Sequence, residues 1–234
     1  MPSSVSEEQF YGAGLPYLHD ANYTGKLIVI EGADCSGRST QTLLLKQWLE
    51  YNGHAVMNTG IKRSDLVSGV IDQAKKGNVL GKTTLSLLYA TDFADQLENK
   101  ILPALRAGFL VLADRYIFTL MVRDAVRGAD PEWLEELFGF ALVPDLTFYL
   151  QLSPDILVHR DFQQRGYLEY WESGMDLSIS ADVFESFQRY QTMCRQQFDE
   201  LATSYNFVTL DGSLDVKTIQ ANLRQRVSQL LETL

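Results

Sequence analysis

The stretch from Leu27 to Trp48 constrains the fold more than any other part of the chain. It opens with a short apolar run, continues through a loop that contains Gly32 and Gly37, and ends in residues with helical spacing. Arg38 and Ser39 follow the second glycine, so the loop has the spacing G-x-x-x-x-G-K-[ST] with arginine in place of lysine. In such a loop the backbone N–H groups turn inward, at the positive end of the following helix. The spacing predicts a strand, a phosphate-cradling loop and a helix, with a polyphosphate as the natural occupant.

The residues leave two interpretations of this loop open. An ordinary strand–turn–helix connection also uses glycine, although the apolar strand before the loop and the apolar helix face after it favour the phosphate loop. Arg38 keeps the charge of the usual lysine but replaces a compact ammonium with a wide, planar fork. It therefore either holds the β- and γ-phosphates or marks a weakened or altered site, while Ser39 is placed to reach a Mg²⁺ ion.

Charge and cysteine content exclude several classes of protein. The net charge of −10 argues against a broad surface for nucleic acid or for an anionic membrane. Cys35 and Cys194 have neither the spacing of a metal site nor the number needed for a disulfide framework. The chain shows no signal-peptide pattern and no apolar run approaching the ~20 residues that span a bilayer. We expect a cytoplasmic protein with a small-molecule substrate.

Strand-like and helix-like segments alternate along the chain from residue 26 onwards. The predicted strands are 28–30, 55–58, 109–112, 146–152 and 207–210, and a long helix is predicted for 83–106, kinked or shortened near Pro103. This alternation predicts one α/β domain over 26–234, a three-layer fold of the phosphate-loop type with a five-stranded parallel sheet and helices on both faces.

Residues 1–25 precede this domain as an N-terminal extension. The part with Phe10, Tyr11, Leu15, Tyr17 and Tyr23 is too aromatic for a solvated tail. We expect some of it to pack on the domain or on a neighbouring subunit, with a loosely held extension as the alternative.

Further charged residues follow two of the other predicted strands. Asp114 and Arg115 come where a strand should open into a crevice, and a carboxylate beside an arginine at that edge suits Mg²⁺-bound phosphate chemistry. The alternative is an ion pair that caps the next helix. Lys62 and Arg63 follow the second strand and either hold an anion or are solvated. The aromatic and acidic segment at about 165–180 has no clear period and is a candidate lid.

Taken together, these motifs resemble the thymidylate kinase family of nucleoside-monophosphate kinases. The resemblance covers nearly everything from residue 26 to the end of the chain. It is carried by the loop Glu31-Gly32, Asp34, Ser36-Gly37, Ser39-Thr40-Gln41; by Leu87-Leu88-Tyr89-Ala90, Asp114-Arg115-Tyr116 and Pro144-Asp145-Leu146; and by Arg165-Gly166 and Asp211-Gly212-Ser213. It implies ATP and Mg²⁺ as cofactors and a homodimer.

The resemblance also implies a role for each matched residue. The implied catalytic residues are Arg38, Asp114 and Arg115, and the implied metal ligands are Ser39, Asp114 and, through water, Glu31. The implied ATP-binding residues are Gly32, Ala33, Asp34, Cys35, Ser36, Gly37, Arg38, Ser39, Thr40, Arg165 and Gly212. The implied substrate-binding residues are Asp34 at the acceptor sugar, Tyr89 stacked on the base, Arg115 on the monophosphate, and Arg63 and Phe93.

Departures from the family pattern concentrate on the acceptor side. Phe93 stands where the family has an arginine that hydrogen-bonds the base, and Lys62 or Arg63 would have to replace the arginine that usually follows the second strand. After Tyr116 the small residues and the Tyr-Gln pair that are usual in the family are missing, and Asp124 and Arg127 stand nearby instead. A lost hydrogen-bond partner has a large effect on substrate discrimination.

The expected function is therefore ATP-dependent phosphorylation of a nucleoside monophosphate, most readily dTMP to dTDP. Two alternatives remain open from the sequence. One is a non-catalytic nucleotide-binding protein, and the other is a kinase with a different acceptor, such as another nucleotide or a nucleoside.

Overall fold

A computed structural model describes residues 9–18, 22–77 and 81–232, and in this part of the chain five strands form one parallel sheet. The strand order is β2-β3-β1-β4-β5. The strands are β1 (Lys26–Gly32), β2 (Val56–Gly60), β3 (Leu110–Asp114), β4 (Leu146–Gln151) and β5 (Val208–Asp211). All five lie within a few residues of the predicted segments.

Helices connect the strands and cover both faces of the sheet. They are α1 (Arg38–Tyr51), α2 (Ser68–Gly77), α3 (Lys82–Gln96), α4 (Leu102–Arg106), α5 (Ile117–Val126), α6 (Pro131–Phe138), α7 (Pro154–Arg165), α8 (Val183–Ser204) and α9 (Val216–Leu231). None of the helices in the described residues is long and apolar enough to cross a membrane.

Successive side chains of the central strand, β1, pack on opposite faces of the sheet. Leu27 and Val29 of β1 join the core beneath α3, α5 and α8, whereas Ile28 and Ile30 join the core beneath α1 and α9. Because the side chains of a strand alternate between faces, an unbroken apolar run is buried only when both faces are covered. The predicted three-layer α/β fold with a five-stranded parallel sheet is confirmed.

The segment predicted as one helix over 83–106 is divided in the structure. The path from α3 to α4 passes through a π-helical turn at Leu97–Ile101, which ends two positions before Pro103. Proline has no N–H to give to the preceding turn, and its ring crowds the carbonyl four residues back. The wider turn relieves this conflict, so the expected kink takes the form of a local change in helix type.

The described part of the N-terminal extension packs on the domain. Phe10 forms an antiparallel bridge with Leu142, and the ring of Tyr11 meets the rings of Phe118 and Tyr205 edge-on. The backbone N–H of Gly12 donates to the carbonyl of Gly139 at 2.8 Å. Phe10, Tyr11 and Tyr23 therefore pack against the main core, whereas Tyr17 is 90% exposed.

Candidate functional site

The phosphate loop lies at the carboxyl end of β1, between the strand and α1. Gly32 and Gly37 have φ angles of 147° and 96°, which favour glycine. A Cβ on Gly32 would also lie 2.9 Å from the Ser36 hydroxyl and 3.0 Å from the Leu150 carbonyl. No side chain caps the first turn of α1, so its N–H groups remain available to an anion.

A cavity of about 290 Å³ opens over this loop. Asp114 and Arg115 line it because β3 lies beside β1, with Asp114 in register with Ile30. The structure thus brings together the residues that the sequence assigned to two separate motifs. The lining residues are Asp34, Cys35, Ser36, Gly37, Arg38, Ser39, Thr40, Ile61, Arg63, Asp114, Arg115, Gln164 and Arg165.

Arg38 is buried, and each of the three nitrogen atoms of its guanidinium lies near an oxygen atom in or beside the loop. Its Nε donates to the Ala33 carbonyl at 3.3 Å, and its Nη1 donates to Asp114 Oδ1 at 2.8 Å. Nη2 lies 3.7 Å from Asp34 Oδ1. Burial lowers the pKa of Arg38 below that of an ordinary arginine, and the adjacent Asp114 works against this lowering. The geometry is that of a planar donor with several partners, which one ammonium group could not reproduce.

Asp34 is the acidic centre of the loop. It forms ion pairs with Arg115 and with Arg123, the latter at 2.6 Å. Arg115 holds a φ of 73°, which is uncommon for a residue with a side chain, and its Nε is buried without a hydrogen-bond partner among the described residues. An arginine held in this way beside the cavity has donor capacity for an anionic ligand.

The expected metal ligands occupy two different places. The Ser39 hydroxyl donates to Asp114 Oδ2 at 2.7 Å, so these two oxygen donors meet at the cavity. Glu31 is wholly buried and does not line the cavity. One of its oxygens accepts from the Tyr116 N–H at 2.8 Å, and the other accepts from the Thr119 hydroxyl at 2.5 Å. Glu31 therefore caps the start of α5 from the end of β1.

A second, smaller cavity of about 40 Å³ lies beside α3 and α5. Tyr89, the predicted stacking residue, lines it together with Lys75, Leu85, Leu120, Arg123, Asp124, Arg127, Trp171 and Glu172. Phe93 is not among these residues; it is buried against Tyr116, with ring centroids 4.9 Å apart, and against Phe140. The structure thus assigns Phe93 to the core, among other aromatic rings.

Four other residues singled out in the sequence differ in whether they line the larger cavity. Arg63 and Arg165 line the larger cavity, and Arg165 also donates to Glu172 Oε2 at 2.7 Å. Gly212 follows β5, where its N–H donates to the Gln151 carbonyl at 2.8 Å. It lines neither cavity. Lys62 pairs with Asp72 on α2 and does not line the larger cavity.

Cys35 links the loop to α7. Its thiol donates to Asp161 Oδ1 at 3.0 Å, and Arg165 approaches the same oxygen at 3.2 Å. Burial, with the buried Asp161 carboxylate nearby, raises the pKa of Cys35 to about 12. The Cys35 thiol is therefore protonated and links the loop to α7 through this hydrogen bond.

Arg123 is the site residue that motif analysis missed. It lines the small cavity and pairs with Asp34, so it connects the two cavities. Its signal in the sequence is the charged pair Arg123 and Asp124, which follows the mostly apolar stretch 117–122 of α5. Charges directly after a buried stretch indicate partners in the interior, but they do not say which ones.

A parallel sheet that carries a glycine-rich loop at the end of its central strand defines the class of phosphate-loop nucleotide-binding proteins. The larger cavity is lined by the guanidinium groups of Arg63, Arg115 and Arg165 beside the glycine-rich loop, and the smaller one by the rings of Tyr89 and Trp171.

Comparison with known proteins identifies the family within this class. The family model described as thymidylate kinase matches residues 30–223. The chain is 36% identical over 209 residues to the probable thymidylate kinase 2 of Saccharolobus solfataricus, covering 89% of this chain and 98% of that protein. It is 37% identical to the probable thymidylate kinase of Pyrococcus horikoshii, covering 65% of this chain and 77% of the relative. It is 36% identical to the thymidylate kinase of Caldicellulosiruptor saccharolyticus, covering 58% of this chain and 69% of that protein. The chain belongs to the thymidylate kinase family.

Proposed function

We propose that this protein transfers the γ-phosphoryl group of ATP to a nucleoside monophosphate, with dTMP as acceptor and dTDP as product. The observation that carries the proposal is the single cavity in which the phosphate loop, Arg38, Asp114 and Arg115 meet. Membership of the thymidylate kinase family supports the same reaction and the same acceptor.

On the donor side, the residues available are those of the loop and the first turn of α1. The uncapped N–H groups of α1 and the Arg38 guanidinium are positive groups that border one cavity. Arg165 adds a second guanidinium from the end of α7. Such preorganised donors stabilise the charge that develops on a transferred phosphoryl group and need not reorganise during the reaction.

The donor set at Ser39 and Asp114 fits Mg²⁺. Magnesium favours oxygen ligands and is usually bound through one or two carboxylates together with substrate phosphates, without a dedicated protein cage. Consistent with this, the described residues contain no cluster of three or more His, Cys, Asp or Glu side chains that could hold a metal by itself. When bound, the ion would neutralise phosphate charge; the protein holds Ser39 and Asp114 within hydrogen-bond distance of each other.

On the acceptor side, Arg115 and Arg63 would hold the monophosphate, Asp34 would contact the sugar, and Tyr89 would stack on the base. Arg63 and Arg115 line the larger cavity, whereas Tyr89 lines the smaller one. Asp34 borders the phosphate cavity and, through Arg123, reaches the smaller one. An acceptor lying across both cavities would place its phosphate next to the donor.

The transfer itself needs no covalent protein intermediate. An oxygen of the acceptor phosphate forms a bond to the γ-phosphorus, the bond from that phosphorus to the β–γ bridging oxygen breaks, and ADP leaves. Arg38 and Arg115 would hold the two reactants in line. Positioning and electrostatic stabilisation account for most of the catalysis in reactions of this type.

The test is ADP release by the purified protein with Mg-ATP and a panel of acceptors. We expect turnover with dTMP and much slower turnover with purine monophosphates and with thymidine. Turnover with another acceptor alone would replace dTMP in the proposal. ATP binding without turnover on any member of the panel would instead favour the non-catalytic alternative.

We also propose a homodimer in the cytoplasm. Val70 on α2 and Leu87 on α3 are each about half exposed, and apolar surface of this kind is suited to a second copy of the chain. Light scattering coupled to size-exclusion chromatography would test the dimer, and fractionation of intact cells would test the compartment.

A further inference from the structure

The segment between α7 and α8 has little regular structure, yet one arginine holds it tightly. Arg127, directly after α5, donates through Nε and Nη2 to the two oxygens of Asp176 at 2.8 and 3.1 Å. Nη2 also donates to the Trp171 carbonyl at 3.1 Å, and Nη1 donates to the Tyr190 hydroxyl at 2.7 Å and the Arg123 carbonyl at 3.1 Å. All five N–H groups of the fork are thus engaged, and only 9% of the side chain is exposed.

Ring contacts add to these hydrogen bonds. The Arg127 guanidinium carbon lies 5.8 Å from the Trp171 ring centroid and 5.1 Å from that of Tyr190. On its other side, Trp171 donates through its indole N–H to the Lys75 carbonyl of α2 at 3.4 Å. The indole is therefore fastened between α2 and the end of α5.

The contacts that hold Trp171 in place determine one wall of the small cavity. Trp171 lines the cavity that Tyr89 also lines, and its present volume of about 40 Å³ has room for roughly three water molecules. A pyrimidine ring alone has six atoms, so an acceptor base must widen this space. Tyr89 belongs to the packed face of α3, whereas Trp171 belongs to a segment of turns. The wall formed by Trp171 is therefore the one whose position can adjust, within the limits that the Arg127 contacts set.

We propose that Arg127 is a positioning residue for the acceptor nucleotide. It holds the segment that carries Trp171 and Asp176 against α5, so that the indole closes on the acceptor base from the wall beside Tyr89. Arg127 acts through Trp171 and does not touch the reacting phosphates. This role rests on the proposed function, because it assigns the small cavity to the acceptor base.

The indole itself is the reporter for the test. The chain has three tryptophans, so replacing Trp48 and Trp133 by phenylalanine leaves Trp171 as the only one. Titration of this variant with dTMP, without ATP, should change the Trp171 emission in a saturable way. On the same background, Arg127→Met should shift the emission of the free protein towards that of a solvated indole and raise the dTMP concentration at half-saturation about tenfold or more.

Two further variants serve as controls. One tests whether the five N–H donors of Arg127 matter or only its charge, and the other tests whether the loss of any arginine has the same effect. Arg127→Lys keeps the charge but cannot supply five donors, so we expect it to behave like Arg127→Met. Arg189→Met on α8 removes an arginine that is more than half exposed and paired only to its helical neighbour Glu185 among the described residues, and should leave both readouts unchanged. In steady-state kinetics, Arg127→Met should raise the KM for dTMP while the KM for ATP stays within about twofold.

The outcomes that overturn the proposal are specific. Unchanged emission together with unchanged half-saturation in Arg127→Met would overturn it, and so would full activity of Arg127→Lys. If Arg127→Met does not fold, Asp176→Asn, which keeps the side-chain shape, must show the same rise in half-saturation. If the unaltered protein binds no nucleoside monophosphate, the proposed function fails; if it phosphorylates dTMP normally and Arg127→Met does so with the same KM, only the positioning role fails.

Discussion

Arg38 Nη1 lies 2.8 Å from Asp114 Oδ1, so the basic residue of the phosphate loop is joined to the carboxylate at the end of the neighbouring strand. The same carboxylate accepts from Ser39 through its other oxygen. Both oxygens of Asp114 are therefore occupied by residues that follow Gly37 in the loop. The contact ties the donor side of the cavity to the strand that also supplies Arg115.

The first prediction concerns the arginine in place of the usual lysine. Arg38→Lys should lower kcat for ADP release with dTMP by about tenfold or more, and Arg38→Met by about a hundredfold or more. A lysine carries one point charge and cannot reach the Ala33 carbonyl and Asp114 together. Arg195→Lys, on the partly exposed side of α8, is the matched control and should be neutral. A faster Arg38→Lys enzyme would mean that arginine is a defect here.

The second prediction concerns a close backbone approach between the N-terminal segment and the domain. A Cβ on Gly12 would lie 2.9 Å from the Gly139 Cα, so Gly12→Ala should lower the free energy of unfolding by about 1–3 kcal/mol. In contrast, a Cβ on Gly69 of α2 meets nothing within 4 Å. Gly69→Ala should therefore raise the free energy of unfolding by about 0.5–1 kcal/mol. Urea unfolding measures both, and equal effects of the two substitutions would refute the contact.

The third prediction concerns the buried carboxylate at the start of α5. Thr119→Val removes the hydroxyl that donates to Glu31 and should lower the free energy of unfolding by about 1–3 kcal/mol at neutral pH. Burial raises the pKa of Glu31, and the Thr119 hydrogen bond lowers it, so the variant raises it further. The deficit is therefore largest when Glu31 is ionised and shrinks as the pH falls and the carboxylate is protonated.

A threonine elsewhere supplies the control for that experiment. The Thr42 hydroxyl on α1 is buried and has no hydrogen-bond partner among the described residues. Thr42→Val should therefore leave the free energy of unfolding unchanged or raise it slightly, at every pH. A deficit in Thr42→Val as large as that in Thr119→Val would show that the loss of any buried hydroxyl, and not the bond to Glu31, is responsible.

The fourth prediction concerns thiol reactivity. With the pKa of Cys35 raised to about 12 and that of the buried Cys194 raised to about 11, both thiols are protonated at neutral pH. Alkylation by iodoacetamide at pH 7.5 should therefore be much slower in the native protein than in urea, and its rate should climb as the pH rises above 9. Asp161→Asn removes the carboxylate beside Cys35 and should speed its alkylation. Rapid labelling of native Cys35 at neutral pH would contradict the conclusion that its thiol is protonated there.

The order of strands and helices could be predicted from the chain because each depends on local signals. Apolar alternation, the paired glycines and the turns between segments predicted five strands whose observed bounds differ by a few residues. The phosphate loop was predicted with its exact glycines, because the backbone angles at Gly32 and Gly37 tolerate few other residues.

Other parts of the site required the tertiary structure, because they depend on which residues are brought together from distant parts of the chain. Nothing in the sequence near Arg123 indicates its pairing with Asp34, which lies 89 positions away. Glu31 matches the family loop and Phe93 stands where the family has an arginine, yet packing assigns the first to the cap of α5 and the second to an aromatic cluster. A motif specifies which groups are present, whereas their partners follow only from the arrangement of the sheet and its helices.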